Sequence, residues 1–165
     1  MRIHKINLPI NAEEIANIKP GDKVLLTGEL YTARDAAHKR MVEILDRGEE
    51  LPLDLSRTVI FYCGPSPKAE GNICGAVGPT TSSRMDDYTP RLLQAGLKLM
   101  IGKGDRAEDV MQEIKDHGAI YLSAIGGISA VLNSCIVSCE TYLWHEMGAE
   151  AVHKFVVKDF PCYLI

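Results

Sequence analysis

Four short apolar runs, each followed by glycine or polar residues and then by helical periodicity, constrain this chain most. They are Lys23–Tyr31 (KVLLTGELY), Thr58–Cys63 (TVIFYC), Leu97–Ile101 (LKLMI) and Ala119–Ile125 (AIYLSAI). Runs this short and apolar read as buried strands. After the first, Arg34–Asp46 places Ala37, Met41, Ile44 and Leu45 on one helical face, with Gly48 as a stop. Helices are likewise predicted over Ser82–Ala95, Arg106–His117 and Ile128–Asn133. Strands interleaved with helices predict an α/β fold whose sheet is at least partly parallel. Residues 3–8 and Val152–Val157 read as strands without companion helices, which predicts a second, more antiparallel layer. Lys19-Pro20-Gly21-Asp22 reads as a turn, and residues 68–80 as mostly loop.

Residues 1–165 fit one domain, with no internal repeat or Ser/Gly linker to divide them. A formal charge of −4 argues against a nucleic-acid partner, which calls for a basic surplus. It leaves room for a small anion, because a few local cations serve one inside an acidic protein. No apolar run has the length of a membrane span, and Arg2 and Lys5 interrupt the N-terminal segment, so no membrane association and a cytoplasmic location are expected. The five cysteines, an odd number at irregular spacings, fit reduced thiols better than a disulfide framework.

Several motifs invite a chemical reading. Gly102, Gly104 and Ala107 form a G-x-G-x-x-A between a strand and a helix, the setting of a dinucleotide fingerprint. That fingerprint also needs a carboxylate at the end of the following strand, where this chain has Ser123-Ala124-Ile125-Gly126-Gly127. Cys135 and Cys139 would share a face if helical, but no further ligands follow at cluster spacing, so no metal is expected on this chain.

Gly78-Pro79-Thr80-Thr81-Ser82-Ser83-Arg84 is richer: four hydroxyls and an arginine lead into a predicted helix, more than one N-cap uses, and predict an anion site. Arg34 stands at a helix start, where a cation opposes the helix dipole, and that placement suggests it holds a carboxylate; a surface contact with Asp35 or Glu29 is the alternative. Lys103 lies between two glycines that allow close approach and a bend. His38 reads as a packed or solvated histidine and is left out of the site.

In order along the chain, TGELYTARDAAHKR, FYCGPSP, VGPTTSSRMD, GKGDR, IGGISAVL, HEMGAEA and VKDFP resemble the β-subunit, or C-terminal domain, of the class I iron–sulfur hydro-lyases. The resemblance covers nearly the whole chain, and Lys103-Gly104-Asp105-Arg106 with Asp159-Phe160-Pro161 looks more like fumarase than tartrate dehydratase. It implies a swivelling β/β/α three-layer domain with a mixed sheet. It implies that Arg34, Arg84 and Lys103 hold substrate carboxylates, with Thr80, Arg84 and Lys103 acting at the reacting centre. It also implies a [4Fe–4S] cluster ligated by a partner α-subunit, with no ligand from this chain. The activity implied is reversible hydration of fumarate to malate. The alternatives are another hydro-lyase, such as L-tartrate dehydratase, and a non-catalytic small-anion-binding or assembly domain. In isolation the chain is expected to be inactive, with a homodimer as one form it could take.

Overall fold

The computed structural model describes residues 1–67, 70–124 and 129–165. The strands are β1 (Ile3–Asn7), β2 (Lys23–Thr32), β3 (Val59–Phe61), β4 (Leu99–Gly102), β5 (Ile120–Ala124), β6 (Ile136–Leu143) and β7 (Val152–Tyr163). The helices are α1 (Ala12–Asn17), α2 (Asp35–Asp46), α3 (Thr89–Gln94), α4 (Glu108–Asp116) and α5 (Ser129–Ser134). The strands form one mixed sheet of order β1-β2-β3-β4-β5-β7-β6, and an added β2–β7 pairing closes its middle into a barrel-like ring. Steps β1 through β5 are parallel, whereas β7 runs antiparallel to β2, β5 and β6.

Strand alternation splits the interior into two cores. Val59, Phe61, Leu99, Ile101, Ile120 and Leu122 face inside the ring and meet Phe155 and Phe160 of β7. Their neighbours Ile60, Tyr62, Met100 and Tyr121 face the other way, toward Ala37 and Met41 of α2, Leu92 and Leu93 of α3, and Val110 and Ile114 of α4. Two sheet layers around the first core and a helix layer over the second make the predicted three-layer α/β arrangement.

The differences from expectation have local causes. The helix predicted over Ser82–Ala95 is two pieces, a 3-10 turn at Ser82–Met85 and then α3. Pro90 sits in the first turn of α3; a helix running through it would lose a hydrogen bond and clash one turn back. β1 is parallel to β2 rather than part of an antiparallel layer. Cys139 lies in β6, not on a helix, and β7 runs on through Asp159-Phe160-Pro161 rather than stopping before them. Ile125, Gly126, Gly127 and Ile128, the end of one predicted strand and the start of one predicted helix, lie outside the described residues.

Asp22 ties the end of the ring away from the helix starts. Its carboxylate accepts from His4 Nε2 (2.8 Å), Lys19 N–H (2.9 Å) and Arg2 N–H (3.2 Å). These bonds, the one from His4 foremost, hold its carboxyl at about 2, below the ordinary 3.8. The ionised form is therefore favoured in the folded state, and its contribution is complete above about pH 4 and lost as pH falls through about 2. Asp22→Asn is expected to lower the melting temperature at neutral pH, with the difference shrinking toward about pH 2. Thermal unfolding followed by circular dichroism across that range checks this; a pH-independent difference would show that the charge is not the source.

Candidate active site

The C-terminal ends of β2, β3 and β4 assemble the residues singled out in the sequence. Tyr62 N–H continues the β3–β4 ladder by donating to Ile101 O (2.8 Å). The Tyr62 carbonyl instead accepts from Thr80 N–H (2.6 Å), and Ser82 N–H donates to Lys103 O (2.9 Å). Thr81 bridges Lys103 in parallel register. The hydroxyl segment thus enters where the ends of β3 and β4 part, which sets Thr80 beside β3 and Lys103 beside Thr81. Gly102 makes this approach feasible, since a Cβ there would overlap Ser82 Oγ and the Tyr62 ring. Gly104, at φ 82°, then turns the chain back.

Ala33 N–H donates to Phe61 O (3.0 Å), which carries the end of β2 alongside β3 and places Arg34 as the N-cap of α2. Arg34 gives no side-chain cap. The first turn is served from elsewhere, because Glu150 Oε1 accepts from Ala36 N–H (3.3 Å). Arg34 lies against Gly64, where a Cβ would come within 2.7 Å of its Cδ. Its Nε is buried without a hydrogen-bond partner, and no ion pair engages it among the described residues. The surface contacts considered for it are absent among those residues: Asp35 pairs with Arg84, and Glu29 accepts from Tyr31 Oη (2.7 Å). The Asp35 pairing brings the Arg84 guanidinium to the first turn of α2, the helix that Arg34 caps. Lys103 is exposed and likewise has no ion pair among the described residues.

One edge of the sheet therefore gathers Arg34, Thr80, Arg84 and Lys103. The expectation of a long helix behind the hydroxyls fails, and with it the helix-dipole part of the anion argument. Thr81 makes no capping bond, and one 3-10 turn follows it. No side chain among the described residues accepts a hydrogen bond from the Thr80 hydroxyl. His38 is packed: it is fully buried, Nδ1 lies 2.9 Å from Arg34 O, and burial lowers it to about 4, so it stays neutral near pH 7.

Sequence reasoning gave no role to Arg106, which underpins the edge. Nε donates to Asp86 (2.8 Å), Nη1 to the Tyr62 hydroxyl (2.9 Å) and Nη2 to Thr89 Oγ1 (2.8 Å). Its guanidinium lies 5.1 Å and 5.0 Å from the ring centroids of Tyr62 and Tyr121. Tyr121 in turn hydrogen-bonds Ser82 Oγ (2.6 Å) and Gly104 O (2.8 Å). The available signal was the conflict between an arginine and its flanking helix start, the same signal that marked Arg34. Glu150 was also missed, and only its place in HEMGAEA pointed to it.

Burial pushes the Cys63 thiol up to about 12 and raises that of Cys162 as well, so both stay protonated near pH 7. Among the described residues no three His, Cys, Asp or Glu side chains converge as metal ligands. No helix among them is long and apolar enough to cross a membrane.

The C-terminal ends of the parallel strands in this ring-closed mixed sheet thus carry a cationic, hydroxyl-rich edge. Comparison with known proteins gives the family: this chain belongs to the fumarase C-terminus family, whose model matches residues 1–165. It is 37% identical over 164 residues to the aerobic class I fumarate hydratase of Salmonella typhimurium, which covers 97% of this chain and 28% of that protein. It is 38% identical over 156 residues to fumarate hydratase 2 of Leishmania major, covering 93% of this chain and 27% of that one. A Methanocaldococcus jannaschii chain, provisionally named an L(+)-tartrate dehydratase subunit beta, is 34% identical over 156 residues, covering 92% of this chain and 80% of its own length. The chain thus spans little more than a quarter of the fumarate hydratases and most of the β-subunit.

Arg106→Ala is expected to destabilise the fold by about 3–5 kcal/mol, because it leaves Asp86 without its buried partner. Urea unfolding measures this. A loss below about 1 kcal/mol would show that the clip is dispensable.

Proposed function

We propose that residues 1–165 act as one domain, the β-subunit or its C-terminal equivalent, of a two-component hydro-lyase that interconverts fumarate and (S)-malate. The observation that carries this reading is the meeting of Arg34, Thr80, Arg84 and Lys103 at one strand edge in a chain that matches the fumarase C-terminus family throughout. Fumarate presents two carboxylates, and planar guanidinium forks suit carboxylates better than point charges do. Arg34 and Arg84, both reaching the start of α2, grip one end, and Lys103 takes the other. Hydration forms a C–OH bond at one carbon and a C–H bond at the next, and negative charge gathers on the adjoining carboxylate during the reaction. Fixed cations there lower the barrier because they need no reorganisation. Thr80 contacts substrate at the reacting centre, and because a threonine hydroxyl is a weak base, it needs a neighbour to activate it before it can accept a proton.

The partner in this reading is an α-subunit that holds a [4Fe–4S] cluster, and this chain offers the cluster no ligand. A second reading, β-subunit of a tartrate dehydratase, is favoured by the M. jannaschii relative, a separate chain of which 80% is covered. Anaerobic reconstitution with the α-subunit, then assay on fumarate, mesaconate and tartrate, separates the two. Hydration of fumarate in preference to dehydration of tartrate is expected, and turnover of none of them would defeat the hydro-lyase reading. In the reconstituted enzyme Arg84→Ala should lower kcat/KM about 10²–10³-fold. It should cost the fold less than about 1 kcal/mol, since only an exposed pair with Asp35 is lost. Normal turnover in that variant would remove Arg84 from the site.

A further inference from the structure

Outside the cationic edge, two sulfur atoms meet across the fold. Cys74, in the connection between β3 and the hydroxyl segment, has its Sγ 3.1 Å from Sγ of Cys139 in β6. A disulfide would need them only about 1 Å closer. Both line a surface cavity of about 450 Å³ together with Pro65, His145, Gly148 and His153. Cys74 is 7% exposed and Cys139 is half-buried, so an oxidant entering the cavity meets Cys139 first. The other thiols are placed differently. Cys63 and Cys162 are buried, and Cys135 Sγ contacts the carbonyls of Val131 (3.4 Å) and Asp159 (3.7 Å).

We propose that Cys74 and Cys139 are a site of reversible oxidation, closing to an intramolecular disulfide by exchange with a small disulfide such as oxidised glutathione. The Cys139 thiolate attacks one glutathione sulfur and the other glutathione leaves as thiolate. The Cys74 thiolate then attacks the Cys139 sulfur of the mixed disulfide and releases the second glutathione. Two protein thiols are oxidised, one glutathione disulfide is reduced to two thiols, and the two protein protons end on the glutathiones. The bond has a mechanical consequence. Asn133 already holds the same stretch of chain, donating from Nδ2 to Gly75 O (2.9 Å) and accepting from Val77 N–H (3.2 Å). A Cys74–Cys139 bond would anchor it to β6 as well, two residues before Ala76 and Val77 lead into Gly78-Pro79-Thr80. Oxidation therefore restrains the segment that carries Thr80, whatever the substrate.

The test incubates the purified protein with oxidised glutathione and follows intact mass, peptide maps and amide hydrogen exchange. The expected product has lost two hydrogens, carries a Cys74–Cys139 cross-linked peptide, exchanges more slowly over residues 72–78, and reverts with dithiothreitol. Cys74→Ser and Cys139→Ser should each abolish the cross-link, whereas Cys135→Ser should keep it. Five titratable thiols remaining, a stable glutathione adduct without the cross-link, or a bond joining other cysteines would each overturn the proposal. The wild-type mass and map decide it even if a serine variant folds poorly.

Discussion

The buried guanidinium of Arg106 is the interaction on which the rest of this structure leans. A cation withdrawn from water costs several kcal/mol unless its donors are satisfied. The five donor hydrogens of arginine lie in a fixed plane, so satisfying them fixes the groups around that plane. Those groups come from the end of β3, the 3-10 turn and the start of α3, and Asp86 also accepts from Ala107 N–H (3.0 Å) at the start of α4. Few other contacts in the fold join so many segments that are distant in sequence. The register of Thr80–Ser82 against Lys103 follows from it, because Ser82, Tyr62 and Tyr121 all lie against the same guanidinium.

A second constraint acts at the start of α2. A helix N-terminus repels cations, yet Arg34 is its N-cap and Arg84 is drawn to its first turn. Asp35 and Glu150 make this tolerable, one by pairing with Arg84 and the other by taking the Ala36 N–H. Neither carboxylate neutralises Arg34. Lys103 follows the end of β4, while Arg34 and the Asp35-paired Arg84 both reach the start of α2. Glu150 is set there by the short turn after β6, which Arg40 also clasps through Glu146 (2.5 Å) and Trp144.

Much of this was legible in the sequence, and the exceptions share a cause. The apolar runs that became β3 to β5 are buried on nearly every residue and β2 alternates buried with half-buried positions, so apolar content marks all four. β6 escaped notice because it is an edge strand with a largely exposed, polar pattern, held in place by β7 rather than by its own apolar content. The division of Ser82–Ala95 was written in Pro90 but masked by the helical spacing of Met85, Leu92 and Leu93, all three of which are buried. Arg34 stood out because a cation there opposes the helix dipole, Arg84 because it follows four hydroxyl residues, and Lys103 because glycines flank it. The bonds that bring them together could not be read, since Asp35–Arg84 and Thr80–Tyr62 join residues that only the closed sheet makes neighbours. Arg106 shows the limit from the other side: the same kind of awkwardness marked a residue whose work is internal.

In the proposed function such an edge is half of a site, and charge balance supports that reading. Arg34, Arg84 and Lys103 stand opposite Asp35 and Glu150, which leaves a single net positive charge for a ligand that carries two negative ones. Arg84, Asp35 and Lys103 are also reachable by water, in which each cation–carboxylate attraction is worth only about 1 kcal/mol. A grip firm enough to orient a dicarboxylate needs that water removed and further positive charge supplied, and both must come from a surface set against the ends of β2, β3 and β4. In the proposed enzyme that surface is the α-subunit, and the division has a physical logic. There the β-domain presents cations around the ends of its parallel strands, and closure by the partner turns weak, solvated attractions into strong ones only once substrate lies between them.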